Sequence, residues 1–151
     1  MIYWSINQWF YWNVANNIFL KGVDIHGSHG NVSENRILNN GLYVMGTYNR
    51  IVSNHIAAEN NGIHIEGDSC IIDGNTVTGN SGINGGIYVS SDRTWITRNV
   101  VTSSNAGIKM GGSGNVICTN NVTINEVSII IDLRITVSFW YFTILDSICI
   151  K

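Results

Sequence analysis

The chain of 151 residues contains no proline, and only 12% of it is charged. Without a residue that locks φ, every reversal of the chain falls to Gly, Asn, Asp and Ser. The few charges sum to −2 and form no basic stripe, which excludes an electrostatic nucleic-acid binder. Three cysteines, Cys70, Cys118 and Cys149, show no Cys-x-x-Cys spacing, so neither a disulfide framework nor a zinc site is indicated. No stretch is apolar for long enough to span a bilayer. The run "ITVSFWYFTIL" has eleven residues, and Asp132, Arg134 and Asp146 interrupt any longer window. The aromatic start "MIYWSINQWFYWNV" carries no Lys or Arg before its apolar part and does not read as a signal peptide. A helical 3.6-residue pattern of useful length is absent too.

What the chain has in abundance is asparagine, glycine and short aliphatic triplets, in a fixed order. Asn35, Asn54, Asn75, Asn99 and Asn120 each have an aliphatic residue three positions before (Val32, Ile51, Ile72, Ile96, Ile117) and two after (Ile37, Ile56, Val77, Val101, Val122). Asn13, between Phe10 and Ala15, reads as an earlier member of the same column. A second column is glycine: Gly22, Gly41, Gly62, Gly86 and Gly107 open "GVDI", "GLYV", "GIHI", "GIYV" and "GIKM". Both columns, the asparagines taken from Asn35 onward, step by 19, 21, 24 and 21 residues. Two rulers in one register mark a stacked repeat, whose single unit cannot bury its apolar face alone.

Each unit holds three short period-two runs separated by turns, so three strands per coil follow. At roughly 4.8 Å between strands, five to six coils make an all-β rod about 25 to 30 Å long. Asn at the bend suits a left-handed corner, and its amide can bond the coils above and below in a ladder. Residues 1–12 are expected to cover the open lower end, and 13–125 form the repeats of a single domain. Residues 126–151, which hold no Asn or Gly, form an irregular C-terminal strand, cap or oligomer contact.

These units resemble those of the right-handed parallel β-helix proteins, the pectin-lyase-like superfamily, and in particular its periplasmic NosD-type repeat branch. The resemblance covers residues 10 to 125. It implies a right-handed single-stranded solenoid, an extracellular, cell-surface or periplasmic location, and a substrate lying on one sheet and its flanking turns. It does not choose an activity, because such scaffolds carry many.

In each glycine-led strand the two aliphatic residues point inward, so the residue between them and the one after point outward. One outward column reads Asp24, Tyr43, His64, Tyr88, Lys109; the next reads His26, Met45, Glu66, Ser90, Gly111. Polar aromatics, imidazoles and carboxylates thus gather on one of three faces. One reading is an ordinary polar sheet surface on which Tyr and His fit well. The other is a groove for an acidic polysaccharide, with Tyr43 and Tyr88 against sugar rings and Glu66, Ser90 and Lys109 binding hydroxyls or carboxylates. If catalytic, a His64 base with Tyr43 or Tyr88 as acid suits lyase or C5-epimerase chemistry. Asp24 and Glu66, about 12 Å apart by strand dimensions, suit hydrolysis poorly. Residues Lys21 to His26 resemble the Tyr-Gly-Phe-Asp-Pro-His motif of mannuronan C5-epimerases, with Asp24 and His26 matching, Lys21 in place of the Tyr and Ile25 in place of the Pro. No cofactor is required; the oxygen donors for a Ca²⁺ bridging uronates would be Asp24, Glu66 or Asp68. The competing class is a non-catalytic structural or adhesive repeat module.

Overall fold

The computed structural model describes residues 4–80, 85–104, 106–124 and 130–131. Among them there is no helix, and every strand pair is parallel. The chain turns through three sheets in strict rotation, so that each strand pairs with those one coil below and one coil above. The first sheet runs from Trp4–Phe10 through Val23–Ser28, Leu42–Met45, Ile63–Glu66, Ile87–Ser90 and Ile108–Gly111 to Ile130–Ile131. The second starts at Asn13–Ala15 and ends at Val116–Cys118, and the third starts at Ile18–Phe19 and ends at Asn121–Ile124. Each of these two is six strands deep, in agreement with the five to six coils expected.

The inward columns are those the repeat predicts. Val32, Ile51, Ile72, Ile96 and Ile117 stack under the second sheet; Ile37, Ile56, Val77, Val101 and Val122 stack under the third; all are buried. Period-two alternation in strands of three to six residues sends these side chains into one narrow core between three sheets.

At the lower end the first unit is displaced by four residues from the expected one. Val14, Asn17 and Phe19 hold the places assigned to Phe10, Asn13 and Ala15: Val14 pairs with Val32 and Phe19 with Ile37, whereas Phe10 is 62% exposed. Asn13 pairs with Asn31 on the outer face of the second sheet. The sequence offers three asparagines in "NVANN", of which Asn13 and Asn17 both have apolar residues three before and two after, and the core selects the register that buries Val14 and Phe19. Trp4–Phe10, expected to cover the end, extends the first sheet in register, Trp4 against Val23 and Ile6 against Ile25. Trp12, itself buried, lies on Gly30, where a Cβ would collide with its indole ring.

The asparagine column is a continuous hydrogen-bonded ladder. Asn54 donates its backbone N–H to Asn75 Oδ1 at 2.9 Å and its Nδ2 to the same oxygen at 3.0 Å; Asn75 does likewise to Asn99, both at 2.9 Å. The second Nδ2 proton goes to a carbonyl of the coil below, Ile51 for Asn75. The left-handed corner falls elsewhere than expected. It is taken by the residue before each ladder Asn, namely Asn16, Glu34, Ser53, Gly74, Arg98 and Thr119, all near φ +54 to +63°. The ladder amide must point inward, and the turn into the core is made one residue earlier.

Coil length varies at one corner only. From each glycine to the next ladder Asn (22 to 35, 41 to 54, 62 to 75, 86 to 99, 107 to 120) the distance is always 13 residues. From each Asn to the next glycine (35 to 41, 54 to 62, 75 to 86, 99 to 107) it is 6, 8, 11 and 8. Insertions therefore enter between the third sheet and the first. The irregular C-terminal strand expected over 126–151 lies, except for Ile130–Ile131, outside the described residues. Cys70 is buried and free, but Cys118 is disulfide-bonded, a pairing that the spacing of the cysteines did not reveal.

Replacement of Asn75 by Ala leaves the buried Asn54 N–H and the Ile51 carbonyl without partners. A loss of about 3 kcal/mol in urea unfolding is expected, against under about 1 kcal/mol for the exposed end member Asn17→Ala. Equal losses at the two positions would show that the ladder is not a buried network.

Candidate functional site

The outward columns of the first sheet form as the alternation predicts. Strand register places Asp24 beside Tyr43, Tyr43 beside His64, His64 beside Tyr88, and Tyr88 beside Lys109. All five are half-buried, because the rings and stems lean on one another along the rod. Tyr43 and His64 meet edge to face at 5.0 Å between centroids, His64 and Tyr88 at 4.7 Å with a 45° tilt, and Lys109 Nζ lies 5.3 Å from the Tyr88 ring centre. His26 reaches into the same group, its ring edge-on to Tyr43 at 5.9 Å. Aromatic pairs of this kind each contribute roughly 0.5–1.5 kcal/mol beyond burial.

In the second column His26 pairs with Met45, and Met45 with Glu66. Glu66 reaches back across the face: Tyr43 Oη donates to its Oε2 at 2.7 Å, and its Oε1 lies 3.2 Å from His64 Nε2. That second approach lacks the alignment of a hydrogen bond, so the covered Nε2 has no hydrogen-bond partner. Ser90 stands exposed at the end of its strand, paired through the backbone with Gly111.

Burial of Tyr43, then its hydrogen bond to Glu66 and the charges of Glu66 and Asp24, push its pKa up to about 12. It is a hydroxyl at every physiological pH. Burial lowers the His64 pKa below 6.5, and Glu66 only partly opposes it. The imidazole is therefore neutral near pH 7. A general base must reach the proton it takes, and in this geometry Nε2 faces Glu66 and is covered. The site is a preformed hydrogen-bonded face more than an open acid–base pair.

Beside this column, at the corner where coil length varies, lies an open depression of about 270 Å³. It is lined by Asp24, Tyr43 and His64 of the column and by Asn40, Asn60 and Asn61. The three asparagines were not singled out from the sequence, although the doublet before glycine in "NNG" at 39–41 and again at 60–62 was legible. Gly41 also lines the depression, at φ +79°, where a Cβ would strike the backbone oxygens of Asn61 and Gly62.

Other polar residues are drawn elsewhere. Asp68 holds Arg93 Nη2 at 3.1 Å and the backbone N–H of Asp92 at 3.0 Å. His29 stacks between Tyr11 and Tyr48 at a different corner, 5.5 and 4.9 Å from their ring centres. Asp24, Glu66 and Asp68, the oxygen donors considered for Ca²⁺, are not gathered into one group: among the described residues no three His, Cys, Asp or Glu side chains are placed to share a metal ion.

Two titrations check this electrostatic picture. The folded pKa of His64 lies below its unfolded value, so the unfolded chain takes up the proton first. The His64 contribution to stability is complete above pH ~6.5 and is lost as the pH falls through the interval down to the folded value. In Glu66→Gln the His64 pKa drops further, by NMR titration, and the Tyr43 pKa moves from about 12 part of the way towards 10.0, by phenolate absorbance. A Tyr43 midpoint unmoved by Glu66→Gln would leave burial and the Asp24 charge as its causes.

A family model described as periplasmic copper-binding protein (NosD) matches residues 6–141. No curated protein and no solved structure matches the chain. The matched span takes in every coil of the described solenoid, from the first strand of the first sheet to beyond the last strands of the second and third. With the ladder, the parallel sheets and that match together, the chain belongs to the NosD family of parallel β-helix proteins.

Proposed function

We propose that this chain is a periplasmic β-helix module that holds a polysaccharide strand along its first sheet, by binding rather than by bond cleavage. The observation that carries this reading is the unbroken column from Asp24 to Lys109. Five half-buried side chains in consecutive coils, three of them rings in mutual contact, present a rigid amphipathic strip parallel to the rod. Rings held by their neighbours lose little freedom when a sugar packs on them, which lowers the cost of binding. Lyase or epimerase chemistry has a neutral His64 beside a protonated Tyr43 in its favour. Against it, Nε2 is covered and turned to Glu66.

The charges of the face bear on the ligand. Asp24 and Glu66 share it with a single ammonium, Lys109. A densely charged uronan therefore meets two carboxylates for one cation, whereas a neutral, hydroxyl-rich chain meets no repulsion. An occasional uronate is best placed against Lys109. The family's description as periplasmic supports the periplasmic part of this reading.

That description also names copper. The donors suited to copper on this face are His26 and Met45, adjacent through strand register and both exposed, and His64, whose Nε2 is covered. Cys70 is buried, its thiol pushed up to about 11 chiefly by burial, and Cys118 is disulfide-bonded. A two-donor pair on an open surface falls short of the ligand sets that hold copper in proteins, so the described residues do not fit a resident copper centre, and no step is routed through one.

Affinity electrophoresis and calorimetry against neutral glucans, mannans and xylans, and against alginate and pectate, test the reading. Retention by at least one neutral polymer is expected, with Tyr88→Ala weakening it at least tenfold, ~1.4 kcal/mol. Lys109→Ala should affect only uronate-containing polymers. Failure to retain any polymer, or release of enoate absorbance from a uronan, would overturn it.

A further inference from the structure

We infer that the depression beside the column is a seat for a single neutral sugar ring, fixed through a vicinal pair of hydroxyls. This rests on the glycan-binding reading of the first sheet but concerns a different set of side chains. The depression measures about 270 Å³, just under the 300–1,000 Å³ typical of pockets for drug-sized ligands. It suits one ring and not a length of chain. It opens at the corner between the third and first sheets, to one side of the strip, so a polymer lying along Tyr43, His64 and Tyr88 would place one unit or a side branch there.

Its chemistry selects hydroxyls. Among the described residues, the side chains of Asp24, Asn60 and Asn61 make no hydrogen bond, and all three border the depression. A carboxylate only accepts, and its two oxygens match the spacing of two adjacent O–H donors. Each amide both donates through Nδ2 and accepts through Oδ1, which is what a hydroxyl needs once its own proton is committed. Tyr43 and His64, already locked by Glu66 and by each other, supply the flat apolar side on which the C–H face of a pyranose packs. An anionic sugar is disfavoured because, among the described residues, the Asp24 carboxylate is the formal charge that lines the depression. A cation has one carboxylate and neutral amides, too few hard donors to displace its water.

The backbone shapes the seat. Gly41 has φ +79°, and a side chain on it would collide with the backbone oxygens of Asn61 and Gly62. The absence of a side chain there lets the Asn61 and Gly62 carbonyls of the neighbouring coil lie close against Gly41. The corners that border the depression span 6 and 8 residues in the sequence, against 11 one coil higher.

Methyl glycosides of glucose, mannose and galactose, titrated into ¹⁵N-labelled protein, provide the test. At least one is expected to shift the side-chain amide signals of Asn60 and Asn61 with a millimolar dissociation constant. The shifts should vanish in Asp24→Ala and weaken at least fivefold in Asn61→Ala, while the thermal transition of Asn61→Ala stays unchanged. No amide shift with any glycoside overturns the seat, and if a polymer is still retained the strip reading survives without it. Shifts that persist unchanged in Asp24→Ala also overturn it. Amide shifts without retention of any polymer support the seat and remove the strip.

Discussion

Everything in this molecule depends on one buried hydrogen bond repeated from coil to coil: the amide of a ladder asparagine accepting from the backbone and side chain of its counterpart below. An asparagine side chain buried without partners costs free energy that a thin core between three sheets cannot readily offset. Each of Asn35, Asn54, Asn75 and Asn99 avoids that cost only if the next coil lies directly above it in register. A coil that slipped by one residue would orphan the amide and turn its aliphatic residues to the outer face. The ladder and the Ile and Val columns thus enforce the same register. Length is free to vary only where neither is present, and that corner borders the candidate site.

The corners show how such a register overrides local preference. Two of the three corner columns place ordinary side chains at positive φ: Tyr11, His29, Tyr48, Ser69 and Arg93 at one, and Asn16, Glu34, Ser53, Arg98 and Thr119 at the other. Each costs of the order of 1 kcal/mol or more relative to glycine. They persist because their backbone N–H groups bond to the coil above, His29 to Thr47, Tyr48 to Asp68, Ser69 to Asp92, Arg93 to Ser113. A bond that exists only when coils stack holds a conformation that the isolated segment would not choose.

This is why the fold was legible and the corners were not. Alternating aliphatics at a shared spacing reveal the inward columns, and from them the outward columns follow by parity alone, so Asp24, Tyr43, His64, Tyr88 and Lys109 lie where the pattern puts them. Positive φ at Glu34 or Arg98 leaves no mark in residue type, and the ladder asparagines attract an assignment that belongs to their predecessors. The first coil was misplaced because composition offered Asn13 and Asn17 equally, and only the burial of Val14 and Phe19 separates them. In the site, parity places Glu66 on the outer face but says nothing of its rotamer, which carries it back to Tyr43 and covers His64 Nε2. Asn60 and Asn61 are visible as letters; that they share a depression with Asp24 depends on the path of the variable corner.

Ring stacking by itself is weak evidence of a binding surface, and the molecule contains its own control. Tyr11, His29 and Tyr48 stack on the outside of the same rod with centroid separations close to those of Tyr43, His64 and Tyr88. Cross-strand neighbours of this size stabilise a parallel stack wherever they occur, so both columns contribute to stability. They differ in what surrounds them. The corner stack is exposed, with Tyr11 82% and Tyr48 56% accessible. The first-sheet column is half-buried, bridged by a carboxylate, extended by a lysine and flanked by three asparagines and an aspartate around a depression. Polar groups such as Asp24, Asn60 and Asn61, held next to rigid rings with side chains that make no hydrogen bond among the described residues, distinguish a surface arranged for a ligand from one arranged only to stack.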